Sequence, residues 1–128
     1  MSAEEDLKAF QWCCSNGDID AAKSAIEEKK LDVNGELTTG RCPIHYAADS
    51  GHTAVVAYLI EKGAEIDKQD KHGITAVLAA IWEGHVETVK LLLEKGADKN
   101  GKAPSGDSYL ESAETAEKNQ SELKALLS

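Results

Sequence analysis

Residues 42–67 read CPIHYAADSGHTAVVAYLIEKGAEID, and residues 75–100 read TAVLAAIWEGHVETVKLLLEKGADKN. A shift of 33 places lays Gly40 on Gly73, Ala47 on Ala80, Gly51-His52 on Gly84-His85, and EKGA at 61–64 on EKGA at 94–97. Ten of the 33 positions from Gly40 onward are then identical, where chance at this composition gives about two. The chain is periodic.

A fainter copy lies upstream: SNGDIDAAKSAIEEKKLDVN parallels DSGHTAVVAYLIEKGAEID with one extra residue before Val33-Asn34. Downstream, Gly106 and Ala113 fall 33 places after Gly73 and Ala80. The 128 residues thus divide into four repeats, approximately 1–34, 35–67, 68–100 and 101–128, in a single domain with atypical ends. Within a repeat, Thr75 suits a helix N-cap and Pro43 a first helical position, so short helices are expected over 43–50 and 76–83. Gly51 and Gly84 stop them. A second helix follows in each, with one apolar face formed by Val55, Val56, Leu59 and Ile60, and by Val86, Val89, Leu92 and Leu93. It ends at Gly63 or Gly96. Helices this short are unstable alone in water, so they must stack on neighbours. Asn34-Gly35 and Asn100-Gly101, two periods apart, are expected to form tight turns in the links between repeats.

A 33-residue period with Pro-x-His-x-Ala, Gly-His and then Gly-Ala-x-x-Asp/Asn resembles the ankyrin repeat. The resemblance covers the whole chain, most fully over residues 35–100, and implies an all-α solenoid of four stacked helix-turn-helix repeats. Ala76 and Leu78 depart from the pattern, as do Lys29-Lys30-Leu31, where a glycine is usual after the helix, and Thr38-Thr39. GRCPIHYAAD at 40–49, DKHGIT at 70–75 and WEGHVETVKLLLEKGADK at 82–99 carry a narrower resemblance, to a small four-repeat member of the family. That member binds the heterodimeric actin capping protein and blocks its access to filament barbed ends, and it has been linked to Rel-type transcription factors. The resemblance therefore implies a protein-binding inhibitor of capping protein, monomeric when free; an adaptor or inhibitor for a transcription factor or kinase is the alternative.

Composition agrees with a protein partner. Fourteen basic residues against 23 acidic ones leave a formal charge of −9. Such a surface repels nucleic acid and anionic membranes and speeds encounter with a basic protein patch. Three cysteines, with Cys13 and Cys14 adjacent, make a poor disulfide framework and fit a reducing compartment. Neither a targeting segment nor an apolar span is legible, so the cytoplasm is expected, with the nucleus as a further compartment.

CPIHYAADSGH at 42–52 also gathers Cys42, His45, Asp49 and His52, residues that could bind zinc or activate a thiol. Zinc needs three or four ligands, however, and the next repeat replaces Cys42 by Thr75 and His45 by Leu78 while keeping Gly-His. The ankyrin resemblance implies that both histidines fasten turns, and that Cys13 and Cys14, at positions where ankyrin helices use alanine, are small core residues. No phosphate loop and no converging polar groups are apparent, so neither an enzyme nor a cofactor or metal site is expected.

The family's concave face is instead where binding is expected. It is built from residues flanking each finger glycine and from the two residues before each Gly-His. Here these are Thr38, Thr39, Arg41, Asp49, Ser50, Lys71, His72, Ile74, Trp82 and Glu83. Trp82 stands out, because interface hot spots are rich in tryptophan; packing on Tyr46 or Asp49 is its other reading. Trp12, at the register of Tyr46, is either a further contact or a cap on the first repeat's core.

Overall fold

The computed structural model describes residues 3–37 and 39–128. Among them eight α-helices and one π-helical turn follow in antiparallel pairs, and no strand forms. The first pair is α1 (Ala3–Asn16) with α2 (Ile19–Lys23), which runs on into the π turn Ser24–Glu28. Then come α3 (Pro43–Asp49) with α4 (Thr53–Glu61), α5 (Ala76–Glu83) with α6 (Val86–Glu94), and α7 (Tyr109–Glu114) with α8 (Gln120–Leu127). First helices contact first helices of the neighbouring pairs and second helices contact second ones, which is the stacking of an ankyrin solenoid. One apolar core runs the length of the stack, through Phe10, Ile44, Leu59, Leu78, Ile81, Leu92 and Leu123. Cys13 and Cys14 are buried in it as expected, at the places Ala47 and Ala48 hold in the next repeat.

Local chemistry sets each helix start. Thr75 caps α5, its Oγ1 accepting from the Leu78 N–H at 3.3 Å. Ser108 and Glu111 cap α7 reciprocally, each side chain accepting the other's N–H at 3.0 Å. Between pairs the imidazoles act as fasteners. His52 Nε2 donates to the Ser15 carbonyl at 2.9 Å and His85 Nε2 to that of Asp49 at 3.0 Å. The His85 ring lies so close to Gly51 that a Cβ there would meet its Nδ1 at 2.6 Å, and Gly51 also has φ of 74°. In the last repeat an amide replaces the imidazole, with Asn119 Nδ2 donating to the Gly84 carbonyl at 2.9 Å.

Asn34 and Asn100 stand in turns as expected, the Gly35 N–H donating to the Asp32 carbonyl at 3.1 Å, with neither Gly35 nor Gly101 at a positive φ. Asn34 also bridges to the next repeat, donating to the Gly63 carbonyl at 3.0 Å and accepting from Glu65 N–H at 2.7 Å. Gly101 makes room for the Tyr109 ring, 2.7 Å from where its Cβ would stand. The extra residue of the first repeat appears as the π turn: ten residues, Ile19–Glu28, stand where α4 and α6 have nine. Lys30, with φ of 59°, takes the left-handed position that Gly63 and Gly96 fill later.

Candidate protein-binding surface

The first helices and the finger turns before them form one wall of the stack. Each finger closes by the same backbone bond: Leu37 to Arg41 at 2.8 Å, Asp70 to Ile74 at 2.9 Å and Ala103 to Asp107 at 2.8 Å, N–H to carbonyl. That register equates Asp70 with Leu37 and Ala103, both buried apolar residues. A carboxylate there must find partners. Its Oδ1 accepts the His72 N–H at 2.8 Å and the Ile74 N–H at 3.0 Å, and its Oδ2 accepts from Arg41 Nε at 3.2 Å. Burial works to raise the Asp70 pKa, but those N–H groups, with His45 and Arg41 nearby, hold it below the ordinary carboxylate value.

Arg41 is thereby tied into the protein. Besides Asp70 it reaches Asp49 at 4.0 Å, and its guanidinium lies 5.2 Å above the Tyr46 ring. Only 20 % of its side chain is exposed, against 42 % for Asp49. The Tyr46 hydroxyl is buried beneath without a hydrogen-bond partner. Asp70 and Tyr46 support this surface from beneath, and sequence reading did not single out Asp70; its signal is an acid at a position apolar in the other two fingers.

The two tryptophans occupy different environments. Trp82 is half-buried and packs against the core, while Trp12, on α1, is 60 % exposed. An indole this exposed is not a core cap. Glu83 is half-buried beside Trp82. Burial, a hydrogen bond with the Glu117 carboxyl and the charge of Asp49 hold its pKa above the ordinary value. Glu117 reaches it because its N–H donates to the Trp82 carbonyl at 2.9 Å. On the second finger Lys71 and His72 are exposed, and the Lys71 stem passes over Gly40, 2.9 Å from the place of a Cβ. Thr38 lies outside the described residues. The wall thus brings Arg41, Asp49, Tyr46 and Asp70 together, with Glu83 coupled to Asp49 by charge, while Trp12 stands on α1.

The Cys-His cluster is occupied by structural bonds. His45 Nδ1 accepts the Cys42 N–H at 2.9 Å, so Nε2 carries the proton and donates to the Lys68 carbonyl at 2.8 Å. Neither nitrogen has a lone pair left for a metal. Burial keeps His45 below the ordinary imidazole pKa against the pull of the Lys68 carbonyl, and burial raises the Cys42 thiol, which is the opposite of what a nucleophile needs. Among the described residues no group of three or more His, Cys, Asp or Glu is placed to hold a metal ion, and no helix is long and apolar enough to cross a membrane.

Comparison with known proteins places this geometry in a family. The profile described as "Ankyrin repeats (3 copies)" matches residues 4–103. Myotrophin of Xenopus tropicalis is 50 % identical over 57 residues, 44 % of this chain and 48 % of the relative. Myotrophin of Homo sapiens is 50 % identical over 44 residues, 34 % and 36 % of the two chains. Ankyrin repeat domain-containing protein 7 of Homo sapiens is 42 % identical over 59 residues, covering 46 % of this chain and 23 % of that one. The matched stretch therefore spans half or less of the length of these curated relatives.

Proposed function

The chain belongs to the ankyrin-repeat family, and from that premise we propose that it is a non-enzymatic regulator that covers part of a partner protein's surface. The partner is the heterodimeric actin capping protein, and the process blocked is its attachment to filament barbed ends. The observation that carries this reading is an exposed indole, Trp12 on the first helix, together with the neighbouring carboxylates Asp49, Glu83 and Glu117. An indole held on a rigid helix supplies apolar contact area at little entropic expense, which is what an interface centre uses. Carboxylates that crowd one another gain most when a partner's cation arrives between them. The similarity to Myotrophin supports the choice of partner.

In this reading the four repeats act as one binding domain of the cytoplasm and nucleus. Trp12, Arg41, Asp49, Lys71, His72, Trp82 and Glu83 line the contact, with Thr38 on the first finger, and the mechanism is steric and electrostatic competition with actin. Titration of labelled protein with purified capping protein tests it: binding is expected, and it should weaken as salt rises. A pull-down that returns a transcription factor or kinase and no capping protein would instead support the adaptor reading.

A further inference from the structure

Two Asn-Gly pairs stand at the same position of the first and third links, Asn34-Gly35 and Asn100-Gly101, with Asp67 between them at the 33-residue period. Their local backbones match. The Asn34 N–H donates to Asp32 Oδ1 and the Asn100 N–H to Asp98 Oδ1, both at 2.8 Å. The side chains differ. Asn34 Oδ1 accepts the Glu65 N–H at 2.7 Å, as Asp67 Oδ1 accepts that of Asp98 at 3.0 Å, so each reaches forward to the next repeat. Asn34 is held again through Nδ2, which donates to the Gly63 carbonyl, and the Gly35 N–H is engaged by the Asp32 carbonyl. Asn100 is exposed, and among the described residues neither its carboxamide nor the Gly101 N–H makes a hydrogen bond.

That contrast matters because an asparagine followed by glycine can react with its own backbone. The glycine nitrogen, giving its proton to a solvent base, bonds to the asparagine Cγ. The Cγ–Nδ2 bond then breaks, and Nδ2 takes up the proton and leaves as ammonia. Water opens the cyclic imide at either carbonyl, giving aspartate or isoaspartate. Glycine favours the step because it has no Cβ to obstruct the approach, but amide and nitrogen must both be free to meet. At Asn34-Gly35 three hydrogen bonds have to break first. At Asn100-Gly101 none does.

We propose that Asn100-Gly101 is a site of spontaneous covalent modification, where asparagine converts to isoaspartate and aspartate, while the bridge to the second repeat protects Asn34. The inference is independent of which partner the chain binds. Isoaspartate routes the main chain through Cγ, lengthening it by a carbon, and leaves a carboxylate where an uncharged amide stood. The adjoining residue tolerates little displacement: the Gly101 carbonyl accepts the Tyr109 N–H at 3.3 Å, and the Tyr109 ring lies 2.7 Å from the place of a Cβ on Gly101. Tyr109 is buried, with its hydroxyl 2.7 Å from Thr75 Oγ1 at the start of α5. Conversion at residue 100 therefore loosens the seat of α7 against α5, and with it the last repeat.

Peptide mapping by mass spectrometry of the folded chain, aged at mildly alkaline pH, tests the proposal. Acid is expected to replace amide at residue 100 about tenfold or more faster than at residue 34. Ageing in concentrated urea, where no bridge survives, should remove most of that difference. Amide hydrogen exchange of the aged protein should quicken in α7 and α8 and stay unchanged in α1 and α2. Asn100→Gln, whose longer side chain closes the ring far more slowly, should show neither conversion at that position nor faster exchange after the same treatment. Equal rates at the two asparagines of the folded chain, faster loss of Asn34, or a difference that urea does not reduce would overturn the assignment. Unchanged exchange in α7 of fully converted protein would overturn the loosening of the last repeat.

Discussion

Trp12 and Trp82 separate two roles that one residue type can play on a repeat scaffold. The half-buried Trp82 packs on the core, so Trp82→Ala removes apolar contact from the fold and is expected to lower stability by about 1–2 kcal/mol. Trp12→Ala removes an exposed ring, should change stability by no more than about 0.5 kcal/mol, and should weaken partner binding by about 2 kcal/mol or more. Urea denaturation beside a binding titration of both variants checks this; a Trp12→Ala protein that binds as tightly as the parent contradicts it. Both positions could be read from the 33-residue register, but burial could not, because it depends on what the neighbouring repeat places over each ring. Arg41 is another such case: the register sends it toward the concave wall, and only the fold reveals Asp70, 3.2 Å away, holding it down.

His45 adds a pH dependence at the same scale. Its folded pKa is depressed by burial, while in the unfolded chain it is about 6.5. The unfolded state therefore binds the proton first, and the stability His45 contributes is complete above about pH 6.5 and is lost as the pH falls toward the folded value. Urea midpoints should drop between pH 7 and pH 5, by up to about 1.4 kcal/mol per pH unit. His45→Asn, though less stable at neutral pH, should show a flatter profile over this range; an equally steep one would assign the effect to other groups.

Among the elements, the inter-repeat fasteners carry the geometry of the wall. A methyl at Gly51 would meet the His85 ring at 2.6 Å and sit on a left-handed backbone. Gly51→Ala is therefore expected to cost about 1–2 kcal/mol from the backbone alone, with a further loss as His85 leaves the Asp49 carbonyl. Amide hydrogen exchange should show faster exchange localised to the α3–α4 and α5–α6 pairs; an unchanged urea midpoint would refute it. The helix pairs themselves are legible in sequence, since Gly-His and the apolar spacing recur with little change. The π turn is not. An extra residue can be counted by laying residues 18–34 on 52–67, but whether a helix, its cap or the loop absorbs it depends on packing, and here the helix does, as the π turn Ser24–Glu28.

For the whole molecule, the stack is a row of nearest-neighbour interfaces, which holds the fingers and first helices of different repeats in one rigid wall. A charge of −9 over 128 residues makes encounter with any basic protein faster and dependent on salt. The most direct measurement is barbed-end elongation of pyrene-labelled actin in the presence of capping protein, with the chain added in micromolar amounts. Restored elongation, with Trp12→Ala much less effective than the parent and the effect fading as salt rises, is the predicted result. Filament growth that stays blocked at saturating amounts of the folded chain would contradict the proposed function.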